Sequence, residues 1–130
     1  MNKKAIIVIA LIVVAGAAAL LSLNAQKKGA LDRDISRISD SSNSITGRAT
    51  ADIINYSFKD QVIKVKKGTT VTWTNQDNAP HTVTGDSDPS LSSQVIGKGN
   101  SYEKTFDQIG TYKYHCTPHP QMIAAVIVVE

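Results

Sequence analysis

The stretch Gly110-Thr111-Tyr112-Lys113-Tyr114-His115-Cys116-Thr117-Pro118-His119-Pro120-Gln121-Met122 decides how this chain is read. In its first half Tyr112, Tyr114 and Cys116 share one parity and Lys113 and His115 the other, the pattern of a strand with one inward face. In its second half a thiol, an imidazole and a thioether lie three residues apart, at Cys116, His119 and Met122. A single tight loop can aim all three at one point. Pro118 and Pro120 brace that loop and withhold two N–H groups that could otherwise donate to the sulfur, which favours a raised reduction potential for a metal held there.

A fourth donor has to come from upstream, and His81, following Pro80 at the start of a short β run, is the candidate. Two histidines and a cysteine in a plane, with a long, weak methionine, form the ligand set expected of a blue-copper electron-transfer centre. Thiolate and thioether suit Cu(I) while imidazoles suit Cu(II), so little has to move when the electron does. A lone Met or Cys is ordinarily core packing, and only the spacing to His119 changes that reading here. Zinc also accepts Cys and His, but the methionine argues against it.

Around this loop, residues 51–130 consist of short β-rich runs separated by Gly, Pro, Asn and Asp, which predicts an all-β sandwich or barrel. Strands are expected over Asp52 to Phe58, Gln61 to Lys66, Thr70 to Thr74, His81 to Thr84, Ser101 to Phe106, Thr111 to Cys116 and Ala124 to Val129, with a weaker run at Gln94 to Ile96. Val71 and Trp73 should face inward. A folded unit of about 80 residues is small for a self-sufficient core. Cys116 is the single cysteine, so no internal disulfide can support that core and a metal becomes the natural staple.

The first 50 residues differ in kind. Lys3 and Lys4 precede an apolar run from Ala5 to Leu23, and residues 1–26 read as a signal peptide or membrane anchor. The length of the run favours a retained transmembrane helix over a cleaved leader, and Leu23 fits the small-x-small cleavage pattern before Ala25 poorly. Either way the domain is expected outside the cytoplasm, periplasmic or extracellular. Residues 27–50, centred on Ser39-Asp40-Ser41-Ser42-Asn43-Ser44, read as a flexible polar linker. Leu31, Ile35 and Ile38 share a helical face, but so short an isolated helix is marginal in water.

Charge separates the same two parts, with seven Lys or Arg against three acids in residues 1–50 and seven against eight in residues 51–130. The near-neutral domain carries no basic cluster suited to nucleic acid. His115 has the outward parity and reads as an exposed histidine, with a second electron route beside Cys116 as the minority alternative. Asp86-Ser87-Asp88 lacks the Gly and closing Glu of a calcium loop and reads as a turn. The sequon Asn55-Tyr56-Ser57 falls in an expected strand and reads as coincidence.

The stretches Thr72-Trp73-Thr74-Asn75, Asn78-Ala79-Pro80-His81-Thr82-Val83 and Gly110 to Met122 resemble the cupredoxins of the plastocyanin/azurin family, and the ligand loop is similar to that of amicyanin. The resemblance covers about residues 51–130. It implies a Greek-key β-sandwich, one copper ion held by His81, Cys116, His119 and Met122, and an electron port at the edge of His119. Thr82 departs from the pattern, standing where many members have an Asn that braces the ligand loop.

The expected function is that of a type-1 copper, one-electron carrier with redox partner proteins, no small-molecule substrate and a monomeric state. An apolar patch around Ala79, Pro80, Pro118 and Pro120 is its expected docking surface. Copper storage or delivery is the alternative. Enzyme readings fare poorly, because four protein donors leave no open metal position and three histidines cannot build a second catalytic copper site.

Overall fold

The structure, a computed structural model, describes the backbone of residues 3–39 and 44–130 and the side chains of residues 18–39 and 44–130. A helix α1 (Lys3–Ser39) precedes eight strands: β1 (Arg48–Ile54), β2 (Ser57–Phe58), β3 (Val62–Lys66), β4 (Thr69–Asn75), β5 (Thr84–Gly85), β6 (Ser101–Phe106), β7 (Gly110–His115) and β8 (Ile123–Val129). They form two four-stranded sheets, ordered β2-β1-β4-β6 and β3-β8-β7-β5. The chain crosses between sheets repeatedly, so the β1/β4 and β3/β8 pairs are parallel and the others antiparallel. This is the expected all-β sandwich.

Alternation within the strands builds the core. Val71, Trp73 and Asn75 on β4 are fully buried, and Ile63 and Val65 on β3 face Ala124, Val126 and Val128 on β8 within the same cluster. Trp73 Nε1 donates to Tyr114 Oη at 3.0 Å, a buried bond that ties β4 in one sheet to β7 in the other. Phe58, Phe106 and Tyr102 pack around this pair.

Several boundaries differ from the sequence reading. His81 to Thr84 is not a strand: only Thr84–Gly85 pairs as β5, while His81 and Ile96, the end of the weaker run, meet in an isolated bridge. Asp52 to Phe58 is not one strand: the chain turns at Asn55 and Tyr56, both with positive φ, and returns as β2. The sheet also starts before residue 51, since Ile45 bridges Val65 and β1 begins at Arg48.

The linker expected over residues 27–50 is corrected more substantially. Helix α1 runs on to Ser39 and packs against β8 and β3. Leu31 is only 5% exposed, Ala125 and Ile127 on the strand face opposite the core are buried, and Lys64 Nζ caps the Ser39 carbonyl at 2.7 Å. Leu31, Ile35 and Ile38 were too few to secure a helix in water, and the outer face of β8 supplies the missing apolar partner. Residues 40–43, in the middle of the serine-rich stretch, lie outside the described residues, and the apolar run expected to be a signal or anchor belongs to α1, with side chains described only from residue 18 on. Among the described residues no helix is long and apolar enough to cross a membrane.

Burial pushes the Tyr114 phenol well above its ordinary 10.0, against the smaller opposing effect of the Trp73 hydrogen bond. The folded state therefore keeps the phenol protonated at pH values where the unfolded chain ionises it, and stability falls as pH rises beyond 10.0. Tyr114→Phe should strand the Trp73 N–H and lose about 1–3 kcal/mol at neutral pH. It should also remove part of the alkaline loss, as urea unfolding at neutral and alkaline pH would show.

Candidate metal centre

Cys116 follows β7 directly and keeps the inward parity of Tyr112 and Tyr114, so its side chain is fully buried. The chain then folds into a loop closed by its own backbone: His119 N–H donates to Cys116 C=O at 3.1 Å, Met122 N–H to His119 C=O at 2.9 Å, and Cys116 N–H to Met122 C=O at 3.1 Å. Prolines at 118 and 120 are compatible with this pattern because neither position supplies a donor to it. Met122 is buried at the end of the loop.

His81 reaches the loop from the other end of the sequence. Its backbone bridges Ile96 in both directions, at 3.2 and 2.8 Å, and its ring is completely buried. The local geometry starts at Asn75, the last residue of β4, whose side-chain Nδ2 donates to the carbonyls of Ala79 and Ile96, both at 2.8 Å, and whose side-chain Oδ1 accepts Asp77 N–H. Loop 76–80 is thereby fixed, and Asp77 Oδ2 lies 2.9 Å from His81 Nε2. With the Nε2 proton donated to Asp77, the Nδ1 lone pair is free and faces the cysteine. Desolvation opposes ionisation of Asp77, but N–H donors from Tyr56 and Asn55, and then His81, hold its carboxyl below the usual 3.8.

His81 Nδ1 and His119 Nδ1 each lie 3.6 Å from Cys116 Sγ, and the three donor atoms fall within 4.8 Å of one another. A first-row ion with bonds of about 2.0–2.3 Å at tetrahedral to trigonal angles places such atoms about 3.6–3.8 Å apart. The cluster thus has room for one shared ion, and its soft thiolate beside two imidazoles suits copper.

Around the sulfur, Thr82 N–H is a donor at 3.4 Å, so the thiolate keeps one backbone hydrogen bond despite the two prolines. Thr82 also answers the question raised by the absent Asn. Its hydroxyl accepts Thr117 N–H at 2.8 Å and joins Thr84 and Thr117 in a chain of hydroxyl contacts at 3.1 and 2.9 Å. A threonine therefore braces the ligand loop. His115, on the opposite parity, pairs with Asp86 at 2.6 Å and stands away from the cluster.

Two participants escaped the sequence reading. Asp77 lies four residues before His81, a spacing with no meaning until loop 76–80 is folded. Tyr56 sets its ring at 5.5 Å and 83° to His81 and at 5.1 Å and 87° to His119. Asparagine at the first position of a two-residue hairpin loop was the available signal for the turn that carries it.

Residues 45–130 match the copper-binding proteins of the plastocyanin/azurin family. The chain belongs to that family. It is 38% identical over 88 residues to amicyanin from Paracoccus denitrificans, covering 63% of this chain and 66% of the relative. Plastocyanin from Scenedesmus fuscus is 33% identical, over 58% of this chain and 87% of the relative. A solved oxidised single-substitution variant of amicyanin superimposes with a TM-score of 0.61 at 36% identity, covering 64% of this chain and 83% of that one. The cofactor is accordingly one copper ion, with His81, Cys116 and His119 as its candidate site. None of these matches extends over the whole chain, and helix α1 precedes the family region.

Replacing Thr82 by valine keeps its shape and removes the acceptor for Thr117 N–H. This substitution should cost about 1 kcal/mol in denaturant unfolding of the metal-free protein, while Thr82→Ser should stay near wild type.

Proposed function

We propose that this cupredoxin is a type-1 copper protein that carries single electrons outside the cytoplasm. His81, Cys116 and His119 are assigned as the strong ligands and Met122 as the weak axial one. The observation that carries the reading is the convergence of both Nδ1 atoms on Cys116 Sγ at 3.6 Å, inside a loop closed by its own hydrogen bonds. Copper supplies the Cu(I)/Cu(II) couple when bound. The polypeptide supplies rigidity: His81 is locked by Asp77, the thiolate by Thr82 N–H, and the loop by the Thr82 hydroxyl. His119 is the half-buried member of the cluster, and electrons pass at its edge.

Four protein donors leave no open position for a substrate, which supports a carrier over an enzyme. Burial of both His81 and Cys116 also argues against ready release, the property that storage or delivery would need. Redox partners would dock against the apolar surface of Ala79, Pro80, Pro118 and Pro120 around His119, since the near-neutral domain offers little charge steering. Export is supported by the basic start and apolar run of residues 1–26.

Addition of Cu(II) to the purified protein should produce an intense thiolate-to-copper band in the red part of the visible spectrum. Cys116→Ser should abolish it, and a wild-type chain without the band would sink the proposal. In cells, the mature chain should fractionate outside the cytoplasm, with N-terminal sequencing distinguishing a retained leader from a cleaved one; recovery in the cytosol would reject the assigned location.

A further inference from the structure

The Asn55–Tyr56 turn has features that neither the sandwich nor the ligand set requires. Two successive residues take positive φ, 54° and 53°, and the second is a bulky tyrosine where such hairpin loops favour glycine. Their N–H groups both donate to the Asp77 carboxylate, at 2.7 and 2.9 Å, the same carboxylate that holds His81. The Tyr56 side chain is 53% exposed, yet it is aimed at two imidazoles rather than left to solvent. A non-glycine residue kept in this region by over-determining contacts points to a role at a site.

The two histidines are held unequally. His81 has complete burial, a two-bond backbone bridge to Ile96 and the Asp77 hydrogen bond. His119 is half-buried, and among the described residues its Nε2 makes no hydrogen bond. Among the described residues, the aromatic rings beside it are those of Tyr56, edge-on at 5.1 Å, and His81 at 4.9 Å. An edge-to-face aromatic pair favours one ring orientation over its rotated alternatives roughly two- to tenfold.

We infer that Tyr56 is a positioning residue for the copper centre, held by the Asp77-pinned turn so that its ring keeps the half-buried His119 in the coordinating orientation. The inference rests on the copper reading above and extends it to a residue outside the ligand motif. Asp77 then serves both ends of the cluster: it clamps His81 directly and His119 through the tyrosine it places. A His119 already oriented before the metal arrives needs little rearrangement between the two oxidation states.

Full-length Tyr56→Phe, Tyr56→Ala and Tyr56→Gly variants test this first without metal. In imidazole 15N NMR of the apo protein, His119 should give one sharp set of signals in wild type and Tyr56→Phe. In the other two variants it should show motional averaging, while His81 stays unchanged. Copper-loaded Tyr56→Ala and Tyr56→Gly should exchange electrons between copies roughly two- to tenfold more slowly than wild type. Apo Tyr56→Gly should melt at or above wild type, because glycine relieves the positive φ. Unchanged His119 signals and exchange rates in Tyr56→Ala would overturn the inference. So would a Tyr56→Gly protein that melts well below wild type with both histidines equally broadened, the mark of a merely structural residue. A wild-type chain lacking the blue band defeats the copper reading instead, and the apo NMR comparison still decides for or against Tyr56.

Discussion

The buried hydrogen bond from Trp73 to Tyr114 is the constraint on which the remaining architecture turns. It joins the middle of β4 to β7, one strand from each sheet, at a depth where an unpaired indole N–H or phenol would be costly. Once Tyr114 is fixed inward, the two-residue period of the strand leaves no choice for Cys116, which must also face the interior. On the other side of the core, Trp73 sets the parity of Asn75, and Asn75 in turn orders the loop leading to His81. One cross-sheet contact therefore sets the direction of approach for both halves of the metal centre.

The rest of the centre is held by groups outside the His81, Cys116 and His119 cluster. Asp77 fixes the His81 tautomer, Thr82 supplies both a donor to the thiolate and an acceptor for the ligand loop, and the Thr84 and Thr117 hydroxyls extend that brace. Each is a short polar side chain on a loop or strand end, held by hydrogen bonds to backbone groups or to another hydroxyl. Ligand orientation depends on such partners as much as on the donors themselves.

Helix α1 changes what counts as the folded unit. Its C-terminal half covers the outer face of β8, where Ala125 and Ile127 would otherwise be exposed, and Lys113 and Lys64 reach it through Asp32 and the Ser39 carbonyl. The exposed ion pair contributes little energy, so the apolar contact around Leu31 must carry the docking. Lys27 Nζ also reaches the Gln121 carbonyl at 3.4 Å, which brings the helix to the edge of the ligand loop. Up to Ser39, the segment before the sandwich is thus docked on it.

What the amino-acid order determined unaided was local. Alternation in β4 and β7 announced a sandwich, and the three-residue spacing of Cys116, His119 and Met122 announced a metal loop, because both signals lie within one strand or one turn. The partners of that loop were legible only by type, as His81 was, or not at all, as with Asp77 and Tyr56. Their roles exist only after loop 76–80 and the Asn55–Tyr56 turn converge on the same carboxylate. Over residues 27–39 the helical face was legible but its docking was not, for the same physical reason: the helix is stabilised by burial against a strand almost a hundred residues away, which no local pattern encodes.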